Sequence, residues 1–350
     1  MNLDHFFVPA EAVSRSRPAN LAVGDERLFA AERSRTYEDV SAVQVAKVCI
    51  LPDGVCLRPA GPLFFPTLVF PQDTLTLRHA CKAALRLPIA AIRGIRGRER
   101  RNYLNGLLIS DLYLGGFFHW FCEILPKITA LVDAGVDLRE RPVLVPECRD
   151  AEYVGESLAA YGLSPHVIRQ AEYAAVERLT FVPRLTPSGN VRPAVMRRLA
   201  ERMRAHAAAL PGPGRIYVSR GKAAKRRLLN EAEIFPILER HGFQVVCMEE
   251  LSLVDQVRLA AGSQLIVGLH GAGLTHMLWM PPGARVLEIR AAGDCTNNCY
   301  YGLASDLGHS YYYTVASKES PFATSQRSNF VVDVGRFEQA LIAAVQADVN

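Results

Sequence analysis

A regular alternation of apolar strands and helical patterns in the second half of the chain constrains the fold most strongly. Five short β-rich runs follow one another there: RIYVS (215–219), FQVVCM (243–248), LIVG (265–268), RVLEI (285–289) and YYYTVA (311–316). Helical patterns with short connections separate the runs. Asn230 with Glu233 is expected to cap the first helix as a capping box, and Ser252 is expected to cap the next. This alternation predicts a parallel, doubly wound α/β sheet.

The first half of the chain also alternates, after a β-rich start. A strand is expected at LNGLLIS (104–110), a helix at 117–135, and a long basic helix (191–209) leads to the linker-like PGPG (211–214). The predicted organisation has four parts: a β-rich region of the first domain (1–100), the rest of that domain (101–210), a second domain (211–325), and a C-terminal segment (326–350). The helical pattern of the last segment could cross back to the first domain.

Composition narrows the class of ligand and the cellular location. The formal net charge of +5 over 350 residues fits an anionic ligand or an acidic surface but is too small to indicate nucleic acid. No run approaches the ~18 apolar residues of a membrane span, and the N-terminus lacks a signal-peptide pattern. The eight scattered cysteines are interpreted as reduced thiols. We therefore expect a cytoplasmic protein, one that can also associate with a membrane.

The segment His270-Gly271-Ala272-Gly273 directly follows LIVG. Ligands of open parallel sheets bind beyond the carboxyl ends of the strands, and a helix expected from about Ala272 to Met280 would direct its free N–H groups there. The two glycines would let an anion approach those groups closely, or would serve only close strand–helix packing. The segment is not GxGxxG, and no GxxxxGK is present, so neither a dinucleotide site nor a P-loop is indicated.

A basic loop follows the strand RIYVS. Ser219 and Arg220 end that strand, and four further cations precede the helix: Lys222, Lys225, Arg226 and Arg227. Such a cluster beside a helix N-terminus predicts an anion site, with a solvated charged loop as the alternative. Asn230 has a plain explanation as a helix cap. Glu231 would either bond a ligand hydroxyl or only favour the first helical turn.

Candidate bases occur in SDLYLGGFFHWFCEILPK (110–127). His119 and Glu123 are four residues apart and therefore share one helix face. A histidine near a helix N-terminus stays neutral and can act as a base. Glu123 could orient it or be the base itself, and Asp111, at the end of a predicted strand, is a third candidate. The alternative is a polar pair packed against neighbouring loops.

No metal-binding pattern stands out. The chain has no DxD motif of the kind that holds a metal–nucleotide, and its nine histidines show no HExxH or HxH spacing. We expect positive side chains, rather than a divalent ion, to offset leaving-group charge, with no metal and no cofactor.

Four segments together resemble glycosyltransferase family 61. They are FFHWFCEILPK, YVSRGKAAKRRLLNE, GLHGAGLTHMLWMPPGARVLEI and YYGLASDLGHSYYYTV, within roughly residues 100–316. Trp279 stands where the family has phenylalanine, and His276 where it has asparagine. The resemblance suggests a bacterial member of the type that builds capsules or other cell-surface polysaccharides.

The resemblance implies a GT-B architecture, with two Rossmann-like α/β domains facing across a cleft. It implies inverting, metal-independent transfer from a nucleotide sugar, expected to be UDP-linked, to a hydroxyl of a glycan or lipid-linked glycan. Arg220, Arg226 and Arg227 match basic positions near the donor diphosphate. The other donor-site matches are Asn230 and Glu231 (the NE pair), His270 to Leu274 (the HGAGL loop, with Gly271, Ala272 and Gly273), and Glu288; His119 matches the HW motif of the first domain.

Two other classes of protein share parts of this pattern. A non-catalytic nucleotide-sugar or glycan-binding protein on the same frame would keep the basic loop but could lose its base, whereas His119, Glu123 and Asp111 are all present. A nucleotide-sugar epimerase would need GxGxxG and a YxxxK pair, and neither occurs. The sequence therefore favours a glycosyltransferase.

Overall fold

The protein forms two compact units in a computed structural model that describes most of the chain. The described residues are 6–52, 54–57, 95–109, 116–139, 141–147, 151–209, 214–223, 225–320, 325 and 328–347. The first unit comprises residues 1–11 and 37–188, and the second comprises residues 12–36 and 189–350. Asp111 and residues 211–213 of the expected linker lie outside the described residues.

Sixteen strands are assigned within the described ranges. They are β1 Phe7–Val8, β2 Glu11–Ser14, β3 Ser34–Tyr37, β4 Val40–Ser41, β5 Val43–Ile50, β6 Cys56–Leu57, β7 Glu99–Leu108, β8 Val143–Pro146, β9 Pro165–Ile168, β10 Glu172–Phe181, β11 Gly214–Val218, β12 Gln244–Val246, β13 Ser263–Leu269, β14 Arg285–Ala291, β15 Ser310–Lys318 and β16 Phe330–Val332.

Helices connect most of these strands. The α-helices are α1 Glu26–Phe29, α2 Phe117–His119, α3 Leu125–Asp133, α4 Glu152–Ala159, α5 Pro193–His206, α6 Glu231–Arg240, α7 Leu253–Ala261, α8 Cys299–Asp306 and α9 Val334–Gln346. A π-helical turn, Trp120–Ile124, joins α2 to α3, and 3₁₀ helices span Ala30–Glu32, Met248–Glu250 and Ala272–Trp279. No helix in the described part of the chain has the length and apolar character needed to cross a bilayer.

The first unit is built on a six-stranded sheet in the order β6-β5-β10-β7-β8-β9. Strands β10, β7, β8 and β9 are parallel to one another. Strand β5 runs antiparallel to β10, and β6 runs antiparallel to β5. The strand order reverses between β7 and β10, since the chain runs outward from β7 through β8 and β9 and then returns to the other side of β7. Ligands of such sheets bind at the carboxyl ends beside a reversal of this kind.

The second unit contains a six-stranded sheet in the order β12-β11-β13-β14-β15-β16. Its first five strands are parallel and only β16 is antiparallel. The expected mixed α/β fold with two units is therefore confirmed. The order reverses between β11 and β13, which are hydrogen-bonded neighbours. Successive side chains of a strand alternate between faces, so Leu287 and Ile289 of β14 join a core with Phe337 and Leu341 of α9, while Glu288 faces the opposite side.

The division of the chain differs from the sequence-based expectation. Residues 189–210 belong to the second unit rather than the first, and so do residues 12–36. The helix α9 packs on the second sheet, where Phe337 and Leu341 are fully buried, instead of crossing back. Arg15 connects the segment 12–36 to the rest of the second unit. Its guanidinium donates to both carboxylate oxygens of Asp306, at 2.9 and 2.7 Å.

Two local expectations also differ. The segment after β13 is a 3₁₀ helix and not the expected α-helix; Gly273 in its first turn and Gly271 directly before it disfavour the α conformation. Asn230 precedes α6, but its side chain does not cap the helix. Its amide instead donates to the carbonyl oxygen of Val332 and accepts from the Val332 N–H, which ties the start of α6 to β16. Ser252 does cap α7 through Asp255 N–H.

Candidate functional site

Two loops of the second unit meet at the carboxyl ends of β11 and β13. Ser219 and Arg220 follow β11, and His270 follows β13, so both loops stand at the point where the strand order reverses. Ser219 is buried, and Arg220 and His270 are partly buried. The structure therefore brings together two of the sequence-predicted clusters, at the edge where open α/β sheets bind ligands.

Gly271 and Gly273 each allow a close approach of a different side chain. A Cβ at Gly271 would lie 2.5 Å from Arg220 Nη1, and one at Gly273 would lie 2.6 Å from Val218 Cγ1. The φ of Gly271 is 167°, an extended conformation open to any residue, so close approach rather than backbone conformation accounts for both glycines. A Cβ at 271 would displace the end of the Arg220 side chain, and one at 273 would clash with Val218. Gly271 admits the Arg220 guanidinium, and Gly273 allows the 3₁₀ helix to pack against β11.

The basic loop is folded around Arg220. Its guanidinium donates to the carbonyl oxygens of Arg226 at 2.9 Å and Lys225 at 3.0 Å. Burial lowers the pKa of Arg220, and the positive charge of Arg226 lowers it further. Arg226 adopts a left-handed φ of 57°, which is uncommon outside glycine and often accompanies functional loops. The Arg227 N–H donates to Asn329, and the Arg227 side chain is exposed.

Glu231 braces this loop from the first turn of α6. Its carboxylate accepts hydrogen bonds from the Tyr217 hydroxyl at 2.8 Å, the Ser219 hydroxyl at 3.0 Å and the Arg220 N–H at 3.3 Å. The two roles expected for Glu231 were a bond to a ligand hydroxyl and support of the first helical turn, and neither accounts for these contacts. The carboxylate fixes the shape of the loop that carries Arg220.

His270 is held by a buried carboxylate. Its Nδ1 contacts Glu288 Oε1, and Glu288 Oε2 accepts from the Tyr311 hydroxyl. Burial raises the pKa of Glu288, but the charge and hydrogen bond of His270, the charge of Arg290 and the Tyr311 hydroxyl outweigh burial, and the net shift is downward. Glu288 is therefore ionised and His270 Nδ1 carries the proton. The parallel register of β13 and β14, with Leu269 opposite Ile289, places this pair side by side.

A small pocket, partly open to solvent and with a volume of about 10 Å³, lies beside these residues. Its lining residues are Arg226, His270, Arg290, Ala291, Asp294, Asn297, Ser325 and Phe330. Three of them carry or can carry positive charge: Arg226, His270 and Arg290. Sequence reasoning missed Arg290, although its position two residues after Glu288 places both on one face of β14.

The first unit contains a second histidine–carboxylate pair, after the ends of β7 and β10. His119 Nδ1 lies 3.0 Å from Glu123 Oε2, as the i, i+4 spacing predicted. The Ser188 hydroxyl donates to Glu123 Oε1 at 2.7 Å, and Arg184 Nη2 lies 3.5 Å from Oε2. The neighbouring Trp120 is fully buried and donates to Ser157, so it has a structural part.

Glu123 is strongly acidic in this setting. Burial raises its pKa, but the hydrogen bond and charge of His119, the charge of Arg184 and the Ser188 hydroxyl together lower the pKa to about 2. An ionised Glu123 can accept a hydrogen bond from His119 Nδ1–H, and the neutral tautomer of that kind carries its lone pair on Nε2. With a pKa of about 2, Glu123 itself is a poor proton acceptor near neutral pH.

The described residues include no group of three or more His, Cys, Asp or Glu side chains suited to hold a metal ion. The predicted donor-site residues Ser219, Arg220, Arg226, Asn230, Glu231 and His270 to Leu274 all lie in or beside the two loops. Among them, Leu274 is fully buried, and Glu231 and Asn230 act on the loop itself.

Comparison with known proteins gives one family and a set of relatives. The family model described as Glycosyltransferase 61 matches residues 117–287, just under half of the chain. The EGF domain-specific O-linked N-acetylglucosamine transferase of Drosophila melanogaster is 36% identical over 98 residues, which cover 27% of this chain and 18% of that protein. The Bos taurus protein of the same name is 33% identical over 105 residues, which cover 29% and 20%. The chain thus spans about a fifth of the length of these relatives. These similarities support the placement of the chain in glycosyltransferase family 61 and the enzyme class of a glycosyltransferase.

Proposed function

We propose that the protein is an inverting, metal-independent glycosyltransferase that uses a nucleotide-sugar donor and a hydroxyl of a glycan or other glycoconjugate. The observation that carries the proposal is the pocket of the second unit, where Arg226, His270 and Arg290 converge beside the strand-order reversal. Such a group of cations suits the diphosphate of a nucleotide sugar.

The second unit would bind the donor. The cationic side chains would stabilise the negative charge that develops on the nucleoside diphosphate as the anomeric carbon–oxygen bond breaks. Arg220, which Gly271 admits into the loop, adds a positive charge beside this site. These groups would supply the stabilisation for which other glycosyltransferases use a divalent ion.

The first unit would supply the base. The lone pair of His119 Nε2 would take the proton of the acceptor hydroxyl while the hydroxyl oxygen attacks the anomeric carbon. The electron pair of the breaking bond leaves with the diphosphate, and attack from the opposite face inverts the carbon. Glu123 would stabilise the imidazolium that forms. A GT-B arrangement of the two units is part of this proposal.

The names of the relatives suggest candidates for both substrates. Since the relatives are O-linked N-acetylglucosamine transferases, UDP-N-acetylglucosamine is the first donor to test, and a protein- or lipid-linked glycan hydroxyl is the acceptor class. The roles in bacterial cell-surface polysaccharide synthesis and in the cytoplasm stay predictions.

A donor screen tests the function. Nucleotide sugars would be ranked by thermal stabilisation, because a ligand of the folded state raises the melting temperature, and the best donor would then be assayed for sugar transfer. We expect Arg226→Ala to lower turnover by about 10²-fold or more, and the exposed Arg240→Ala to leave it unchanged.

Three further outcomes sharpen the test. Transfer should survive EDTA; loss restored by Mn²⁺ or Mg²⁺ would refute the metal-free mechanism. The product should show the inverted anomeric configuration by NMR. Donor binding without transfer or hydrolysis across an acceptor panel would favour the non-catalytic binding protein instead.

A further inference from the structure

Arg290 is the most deeply buried cation of the pocket. Only 1% of its surface is exposed, and it extends from the same face of β14 as Glu288. A buried charge is costly unless a counter-charge and hydrogen bonds compensate it. The partners of this guanidinium therefore indicate whether the folded chain satisfies it.

Its hydrogen-bond acceptors are all neutral. Nη2 donates to the carbonyl oxygen of Asp294 and to Asn298 Oδ1 at 2.9 Å, and Nη1 lies 3.5 Å from the Tyr311 hydroxyl. The Asp294 carboxylate does not contact the guanidinium, because it accepts from Thr296 and Asn297 instead. Within the described part of the chain, Arg290 has no ion pair within 4.0 Å, and its buried Nε–H has no hydrogen-bond partner.

Arg15 of the same unit provides the contrast. It is 2% exposed, yet it forms ion pairs with Asp306 at 2.7 Å and Glu32 at 3.1 Å and a further hydrogen bond to Asn190. The fold thus compensates one buried arginine with two carboxylates. The other, which lines a pocket with Arg226 and His270, has no carboxylate of the described residues in direct contact. Burial lowers the pKa of Arg290, but the charges of Tyr311, Glu288 and Asp294 at longer range raise it on balance.

We propose that Arg290 binds the anionic part of the ligand, a phosphate of the donor, which would accept a hydrogen bond from the buried Nε–H that has no partner. The identity of the ligand rests on the proposed function; the assignment of Arg290 rests on this Nε–H and on its position in the lining of the pocket. Phe29 lies 4.7 Å beneath the guanidinium and fixes its plane. Both residues lie outside the segment 117–287 that matches the family model.

Titration of the full-length protein with inorganic pyrophosphate, followed by calorimetry, tests the proposal. We expect Arg290→Met to weaken pyrophosphate binding about tenfold to a hundredfold, as for the loss of a charge-assisted hydrogen bond. Arg285→Met is the matched control: Arg285 is a buried arginine of the same strand, but it donates to the carbonyl oxygens of Ala344 and Val345. It should bind pyrophosphate within about twofold of the wild type. A folded Arg290→Met variant with wild-type affinity would overturn the proposal.

If the Arg290→Met variant does not fold, a measurement on the wild-type protein tests the proposal instead. The Nε–H resonance of Arg290, assigned by its absence in Arg290→Lys, should shift when pyrophosphate saturates the wild-type protein. A purely structural arginine would give no shift, and that result would also overturn the proposal.

The two proposals fail differently. If the wild type binds neither pyrophosphate nor any nucleotide sugar, the donor assignment of the second unit fails. If the wild type binds them and Arg290→Met binds them equally well, only the assignment of Arg290 fails.

Discussion

The two units carry the same chemical pair in different surroundings. In the first, His119 contacts Glu123, whose carboxylate also meets the Ser188 hydroxyl and Arg184. In the second, His270 contacts Glu288, whose carboxylate also meets the Tyr311 hydroxyl. Both carboxylates are buried and their pKa values are lowered, so each holds a proton on Nδ1 of its histidine.

The difference lies in what stands beside each histidine. His270 shares a pocket with Arg226 and Arg290, where an anion would be attracted. In the first unit, the guanidinium of Arg184 is directed at the carboxylate of Glu123. The same pair can therefore serve as a proton acceptor in one setting and as an anion-binding donor in the other. Residue type alone does not assign the role.

Substitution of the two histidines should separate these roles most strongly. We expect His119→Ala to lower kcat by about 10²- to 10⁴-fold with donor affinity unchanged, because a general base contributes on that scale. His270→Ala should weaken donor binding as well as turnover. Steady-state kinetics and calorimetric titration with the donor measure both effects. Equal losses of donor affinity in the two variants would contradict the division of roles.

Replacement of the first unit's carboxylate by its amide analogue should change the stability of the protein and the pH dependence of that stability. Glu123→Gln removes the buried carboxylate that faces His119 and Arg184, and we expect a loss of about 3–5 kcal/mol in the free energy of unfolding at pH 7. The folded-state pKa of Glu123, about 2, lies below its ordinary value of 4.5. Its stabilisation is therefore complete above about pH 4.5 and is lost as pH falls toward 2.

Urea unfolding of both proteins between pH 7 and pH 3 measures this effect. The gap in unfolding free energy between wild type and Glu123→Gln should narrow as pH falls. A constant gap would show that Glu123 is not held ionised by its neighbours. The matched control is Glu156→Gln, a partly exposed glutamate of α4 in the same unit.

The pair of the first unit was predictable from sequence and that of the second was not. His119 and Glu123 share a helix face, so their spacing alone brings them together. His270 and Glu288 meet only because β13 and β14 are neighbours in parallel register. The alternation of strands and helices predicted that sheet, but it gave no reason to pair these two side chains.

The dependence of contacts on tertiary packing also explains what sequence reasoning missed in the second unit. Segment 12–36 joins that unit through contacts such as Arg15 with Asp306, nearly three hundred residues apart, and no local periodicity encodes such a contact. The close approach that glycine allows at 271 likewise depends on Arg220, which arrives from another strand. Local patterns predicted the elements and the basic loop, while the partners of each side chain depend on tertiary packing.

Phe29 tests the support that aromatic packing gives to the pair of the second unit. Its ring lies under Arg290 and packs edge-on against Tyr311, which bonds Glu288. We expect Phe29→Leu to weaken pyrophosphate binding by about two- to thirtyfold, the scale of a cation–π contact. The neighbouring Leu28→Val removes one buried methylene without touching the guanidinium and should leave that affinity unchanged, while both variants lose some stability. Calorimetry compares the two affinities, and equal weakening would mean that the fold of segment 12–36, rather than the ring under Arg290, supports the site.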